Sequence, residues 1–229
     1  MPSKYHITKD TQICCSFSCK PGNVGCRIHN AGFQFYGLDF IYKSFAVADI
    51  YSAINAMKCL NIRGAGITMP YKKEVGLYLD DLDDTAKKTG VVNTIVNTNN
   101  TLVGYNTDYY AVTTFFRNID KDRSIFILGD GGMGTTAKLA VEDIGMVPQV
   151  ITRTNWSDIL DIREDIIINC TPVIVNVHKT NYYVDVKTQT DEGLQLAFLQ
   201  ASEQFRLYTG KKLPFGGVEE IDQYWKELT

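Results

Sequence analysis

The chain has 229 residues, room for one large domain or two small ones. Hydrophobic residues make up 45% and charged residues 21%, a globular balance, and a net charge of −3 gives no reason to expect nucleic acid or an anionic membrane as a partner. The apolar runs fall short of a bilayer span, and Met1 to Gln12 holds no apolar signal-peptide core, which points to the cytoplasm.

In chain order, Gln12 to Cys19 is apolar and β-prone and reads as a strand. Lys20-Pro-Gly-Asn-Val-Gly25 is a loop, Arg27 to Tyr36 a helix stopped by Gly37, and Leu38 to Val47 a second strand. Asp49 can cap a helix whose apolar stripe is Ile50, Ile54, Met57 and Leu60. Four cysteines, Cys14, Cys15, Cys19 and Cys26, cluster early in a spacing that fits no zinc pattern, with His29 the nearby imidazole. Cys59 and Cys170 read as small core residues, and all six are expected as reduced thiols. No metal motif is present.

Ala65 to Met69 reads as a short strand that Pro70 ends, because proline cannot donate to a ladder. Lys72 then stands just past a strand end, the usual place for a working group in an α/β sheet. Alone, Lys72 and Lys73 read equally as solvated lysines opening a helix over Lys73 to Asp80. Val91 to Val96 and Leu102 to Tyr105 are strands joined through Asn97-Thr-Asn-Asn100. Gly104-Tyr-Asn-Thr-Asp108 ends on an isolated carboxylate, so Lys72 and Asp108 can form a proton-transferring pair. This half alternates strands and helices, the pattern of a mostly parallel sheet, and a helix over Tyr110 to Ile119 leads out of it.

Ser124 to Leu128 is the next strand, running into Gly129-Asp-Gly-Gly-Met-Gly134 and a helix from about Met133 to Ile144. Strand, glycine turn and helix N-terminus make a pyrophosphate cradle, with Gly129, Gly131, Gly132 and Met133 as its candidate residues and Asp130 pointing away. The strand Gln149 to Thr152 ends in Thr152-Arg-Thr154, where an NAD site has an acidic residue. Arg153 suits a 2′-phosphate instead, so NADP is the expected cofactor, with a surface arginine as the plain alternative. Ile166 to Pro172 is a buried strand, and Gly193 to Thr209 a helix with Leu194, Phe198, Ala201, Phe205 and Tyr208 on one face.

Several of these stretches resemble the shikimate dehydrogenase family. Gly66-Ile-Thr-Met-Pro-Tyr-Lys72 looks like its N-V-T-x-P-x-K, Val92-Asn93-Thr94 like A-V-N-T, and Gly104 to Asp108 like G-x-N-T-D. Thr152-Arg-Thr154 resembles N-R-T, Ile168 to Thr171 the I-N-x-T strand beside the cofactor, and Gln200-Ala201 the Q-A helix whose glutamine contacts substrate. Pro21-Gly-Asn-Val-Gly25 with His29-Asn30 is closest to the shikimate dehydrogenase-like branch, and the likeness spans about Lys4 to Leu213.

The resemblance implies a two-domain α/β fold. Residues 1–108, completed by 193–229, would form a substrate domain, and 109–192 a Rossmann-like NADP domain, with a cleft between. It implies reversible hydride transfer between NADP and shikimate or a close small-molecule analogue. Lys72 and Asp108 would be catalytic, Thr68, Asn93 and Gln200 would bind substrate, and Thr171 would join Thr152, Arg153 and Thr154 at the cofactor. The main branch binds the substrate carboxylate with two serines, which fall here on Asn23 and Gly25. Asn23 can donate an amide hydrogen bond, Gly25 offers only backbone, and Ser16 and Ser18 are substitutes. Quinate or another analogue, and a non-catalytic sensor of a related metabolite, are the alternatives. The stretches after Thr154 and Val186 are also short for the family, since a parallel crossover needs a dozen or more residues. Missing segments, marked by broken Cα spacing, are therefore expected near 154–155, 173–174 and 186–187.

Overall fold

Alternating apolar strands and amphipathic helices build two sheets, and the chain divides into two units: residues 1–107 with 201–229, and residues 108–200. The computed structural model describes residues 7–228, so what the sequence suggests for residues 1–6, the start of the N-terminal reading and of the family likeness, lies outside them.

In the first unit β1 (Gln12–Ser18) lies between β2 (Phe40–Ala46) and β3 (Gly64–Ile67), parallel to both. Helices α1 (Val24–Phe35) and α2 (Ile50–Cys59) make the crossovers. Asp49 caps α2 by accepting the Ser52 N–H at 2.8 Å. The buried face of α2 is Ile50, Ala53, Ile54 and Met57. Leu60, expected on that stripe, is exposed, because α2 stops at Cys59 and Asn61 turns the chain away at φ 49°. Cys59 is also exposed rather than a core residue, and all six cysteines are free thiols.

The first sheet is mixed, not mostly parallel. β5 (Thr94–Thr98) runs antiparallel to both β3 and β6 (Thr101–Tyr105). The cause is local: Asn99 and Asn100 both take positive φ, 53° and 65°, the backbone of a two-residue hairpin turn, which asparagine tolerates. The full order is β2-β1-β3-β5-β6-β4, with the short β4 (Asp81–Leu82) and the following α3 (Asp84–Thr89) both unforeseen. The helix expected over 73–80 is reduced to a 3₁₀ turn, Val75–Tyr78. Across 71–80 only Tyr71 and Val75 are buried, too short a stripe to hold a longer helix. The C-terminal half of α6 (Asp191–Thr209) buries Ala201, Gln204, Phe205 and Tyr208, and an unforeseen α7 (Val218–Leu228) packs on α1. Tyr208 lies flat against Gly64 on β3, where any Cβ would collide with its ring.

In the second unit β7 (Ile125–Leu128) pairs in parallel with β8 (Pro148–Ile151) and β9 (Ile166–Asn169), and β10 (Tyr182–Asp185) lies outside β9. Helix α4 (Thr107–Phe116) leads in, starting three residues earlier than Tyr110, and α5 (Gly132–Asp143) crosses from β7 to β8. A 3₁₀ helix, Trp156–Asp161, joins β8 to β9. The chain folds through the points where segments seemed to be missing. The Asn155 N–H bonds the Thr152 carbonyl across 154–155 at 3.3 Å, and the Lys187 N–H bonds Asp185 across 186–187 at 3.0 Å, while at 173–174 the Val173 carbonyl on the near side is held by Asn169 at 2.9 Å. The second sheet has four strands, in the order β10-β9-β7-β8.

The core of the first unit holds an imidazole beside its buried thiols and phenols. His29 on α1 is fully buried among rings, with Tyr42 stacked at 4.4 Å, Tyr208 at 5.6 Å, Phe33 at 6.2 Å and Phe205 at 6.3 Å. Burial pushes its pKa down from 6.5 to about 4, with a hydrogen bond to Gln204 opposing the shift. The folded value lies below the unfolded one. The neutral ring therefore contributes stability that is complete above pH 6.5 and is lost as pH falls towards 4, about 3 kcal/mol in all. Denaturant unfolding between pH 7 and 4.5 is expected to show this slope, and His29→Phe to flatten it. Asp185 titrates lower: burial raises its pKa, but the Lys187 N–H and ammonium, Asn169 and Tyr183 outweigh that and hold the carboxyl below the usual range.

Candidate active site

In the first unit the candidate residues Thr68 and Lys72 follow the C-terminal end of β3. The Thr68 N–H bonds the Phe17 carbonyl at 3.2 Å, and Thr68 itself is exposed. Lys72 follows, half-buried, and its carbonyl accepts the Val92 N–H at 2.8 Å. Next to Lys72, Tyr71 is buried and donates its hydroxyl to the Val47 carbonyl at 2.8 Å. The backbone of Lys72 is thereby tied to the residue preceding Asn93. Asn93 bridges two strands through its own backbone: its carbonyl accepts from Ile67 at 2.7 Å, and its N–H donates to Tyr105 at 3.0 Å.

The side chain of Asn93 is buried, and its Oδ1 accepts from the Thr107 N–H at 2.7 Å, the Thr94 hydroxyl at 2.9 Å and the Thr107 hydroxyl at 3.1 Å. Thr94 in turn accepts from Gln204 Nε2 at 2.9 Å. The next residue after Thr107 is Asp108, buried in the first turn of α4. Gln204 was not foreseen. It lies one helical turn beyond Gln200, which is half-buried, and that i, i+4 spacing on α6 was the available signal.

The proposed carboxylate residues separate. Ser16 on β1 donates to Ser44 at 3.0 Å, and Ser18 is buried and accepts the Lys20 N–H at 3.0 Å. Asn23 is exposed at the start of α1 with no capping bond. It lines a cavity of about 670 Å³ with Cys26, Arg27, Tyr42 and Trp225, a lining that includes none of Lys72, Thr68 and Asn93.

In the second unit β7 runs into Gly129 at φ 94°, and Gly131 is the N-cap of α5. A side chain on Gly134 would collide with the Gly129 carbonyl, so this glycine allows the helix to close on the turn. Nothing would meet a Cβ at Gly131, and no side chain caps α5, so its leading N–H groups border open space. That is a cradle an anionic pyrophosphate fits. Met133 is half-buried in the first turn, Gly132 begins the helix, and Asp130 is exposed. Past β8 the Thr152 and Thr154 hydroxyls lie 2.9 Å apart, and Arg153 between them is exposed with no ion pair among the described residues.

Thr171 is fixed by Asn169, a member of the Ile168 to Thr171 motif for which no separate role was expected. Asn169, fully buried, accepts the Thr171 N–H at 3.0 Å and its hydroxyl at 2.7 Å. Its Nδ2 donates to the Val173 carbonyl at 2.9 Å, to the Tyr183 hydroxyl at 3.0 Å and to Asp185 at 3.0 Å. Lys187 completes the cluster with an ion pair to Asp185 at 3.1 Å. The one polar residue in the otherwise apolar Ile166–Asn169 strand was the signal.

The family model for the shikimate dehydrogenase substrate binding domain matches residues 24–95. A shikimate dehydrogenase-like protein of Haemophilus influenzae is 39% identical over 141 residues, 61% of this chain, which spans 52% of that relative's length. The NADP(+) shikimate dehydrogenase of Clostridium beijerinckii is 34% identical over 234 residues, covering 88% of this chain and 86% of the relative. The solved structure of a shikimate 5-dehydrogenase-like protein matches at a TM-score of 0.81 and 28% identity, over 96% of this chain and all of the other. With a conserved-length relative at that identity, and the strand-end lysine and glycine cradle in place, the chain belongs to the shikimate dehydrogenase family.

Proposed function

We propose that the chain is an NADP-dependent dehydrogenase that interconverts shikimate and 3-dehydroshikimate, or a close analogue, by hydride transfer. The observation that carries this reading is the end of β3, where Lys72 is tied through Val92 to the buried Asn93 amide. Residues 1–108 with 193–229 would bind the hydroxy acid, and 109–192 the nucleotide. The names of the relatives, NADP(+) shikimate dehydrogenases, support the substrate and cofactor. Bound NADP supplies the hydride acceptor.

Hydride leaving a carbinol carbon requires the hydroxyl proton to leave too. Lys72 would hold that oxygen and exchange the proton, while Asp108 would orient the hydroxyl and the lysine. Thr68, Asn93 and Gln200 would bind the ring hydroxyls. Gly129, Gly131, Gly132 and Met133 would take the pyrophosphate, and Thr152, Arg153 and Thr154 the 2′-phosphate, with Thr171 beside the nicotinamide. The analogue reading, quinate above all, rests on one observation: Asn23 lines a cavity apart from Lys72, so the carboxylate contacts differ from a two-serine site.

Lys72→Ala should lower kcat about 10²–10⁴-fold, the usual value of acid–base catalysis, with NADP affinity kept. Steady-state rates with shikimate and quinate measure this, and a wild-type kcat in the variant would leave the chain a binder rather than a catalyst. Arg153→Ala should weaken NADP by about 1.5–3 kcal/mol, the value of a charge-assisted hydrogen bond, and leave NAD nearly unchanged. Fluorescence titration of both cofactors reads the difference, and equal losses would make Arg153 structural.

A further inference from the structure

We propose that Trp156 is the adenine platform of the nucleotide site: the base of a 2′-phosphorylated adenosine stacks on its indole ring, beside Val175 and Val177. This rests on the reading that the second unit binds NADP.

The adenine and the 2′-phosphate of such a ligand are carried on one ribose. A phosphate held at Arg153 therefore puts the base within a sugar's reach of the same turn. That turn is closed on itself. The Asn155 N–H bonds the Thr152 carbonyl at 3.3 Å, and Asn155 Oδ1 accepts the Thr152 N–H at 2.9 Å. The chain doubles back after Thr154, and the next residue it delivers is Trp156, first in the 3₁₀ helix. Between Phe126 and Tyr182 it is the one Phe, Tyr or Trp, so the loops around the glycine turn offer a base no other large ring.

The surroundings of Trp156 match the place. It packs half-buried on a cluster that holds Leu128 at the end of β7, Ile151 at the end of β8 and Ile167 on β9. Val175 and Val177, also half-buried, pack on the same cluster from the loop after β9. The loops after β8 and β9 both border the glycine turn. The Gly129 N–H bonds the Ile151 carbonyl at 2.8 Å, and a Cβ on Gly129 would lie 2.7 Å from Thr171 Cγ2. An open α/β sheet takes its ligand in the crevice outside the carboxyl ends of its strands, and these are those ends. Stacking on an aromatic face tolerates any planar base, while the 2′-phosphate supplies the charge that Arg153 reads. A packing role alone would be met equally by an aliphatic side chain, which gives the test its variants.

The first experiment uses the full chain with Trp225→Phe, which leaves Trp156 as the one tryptophan. The probe is 2′,5′-ADP, which carries the adenine and the 2′-phosphate and no nicotinamide, followed by calorimetry and by tryptophan emission. The expected result is quenching of Trp156 that saturates along the calorimetric isotherm. The second compares Trp156→Leu, which keeps an apolar side chain on the cluster and loses the ring, with Trp156→Phe, which keeps a ring. The Kd for 2′,5′-ADP should rise about tenfold in Trp156→Leu, the loss of one base–aromatic stack, and be largely recovered in Trp156→Phe. The Kd for nicotinamide mononucleotide, which has a phosphate and no adenine, should be unchanged in both. Calorimetric binding of 2′,5′-ADP with unaltered Trp156 emission would overturn the proposal and leave the cofactor reading standing, and this arm holds whether or not Trp156→Leu folds. An unchanged Kd in a folded Trp156→Leu, or equal losses for both probes, would overturn it too. A wild-type chain that gives no binding heat with 2′,5′-ADP or with NADP would overturn both the platform and the cofactor reading.

Discussion

Burying a side-chain amide is costly unless its polar atoms are satisfied, and in each unit one well-bonded amide ties neighbouring segments together. Asn93 precedes β5 and takes the Thr107 N–H, so the start of α4 is referenced to the sheet at 2.7 Å. Asn169 ends β9 and holds the two loop positions that follow it, Thr171 and Val173. Asn93 lies where the chain enters a strand, and Asn169 where a strand runs into a loop. An amide suits these places because it accepts and donates at once without carrying charge into the core. An aspartate in either place would supply no donor and would add a buried charge.

The two units then differ in how they present polarity. In the first, burial keeps His29 neutral and pushes the Tyr42 and Tyr208 hydroxyls well above their ordinary values. Burial thus keeps these groups uncharged. In the second, the groups proposed to meet a phosphate are backbone N–H groups at α5 and the exposed Arg153, which carry partial or full positive charge. Glycine does opposite work in each: at Gly64 it admits the Tyr208 ring to the sheet, and at Gly134 it admits the α5 backbone to the turn.

Much of this was legible in the residues. The apolar runs of β1, β2 and β7, the Asp49 cap and the glycine turn before α5 carry their geometry in local chemistry, and the structure follows them to within a few residues. The antiparallel β5–β6 pair was hidden because it depends on handedness: Asn99 and Asn100 had to take positive φ together, and asparagine permits that without requiring it. Leu60 misled because periodicity continues past the residue where the helix ends. Gln204 was hidden beside Gln200, since a helix stripe does not tell which of two glutamines meets a polar partner. His29 was visible only as part of a motif; its stacking partners come from β2 and α6, more than a hundred residues apart in the chain for Tyr42 and Phe205.

The altered loop before α1 changes how a substrate carboxylate could be held. A carboxylate needs donors, and Ser16 and Ser18 are not equivalent in that respect. Ser44 donates to the Gly22 carbonyl at 2.9 Å, so its hydroxyl proton is committed, and Ser16 must spend its own proton on Ser44 at 3.0 Å. Ser16 is left with acceptor capacity, which a carboxylate opposes. Ser18 is the reverse case: it accepts the Lys20 N–H at 3.0 Å and keeps its proton to give. Its backbone is also referenced to the β2 exit, through the Val47 N–H on the Ser18 carbonyl at 2.9 Å, and its neighbour Phe17 holds the Thr68 N–H. Of the side chains around this loop, Ser18 is therefore the one whose hydrogen bonding and position beside Thr68 suit a carboxylate. Under the proposed function, a single hydroxyl in place of two favours a ligand that anchors less through its carboxylate and more through its other polar groups.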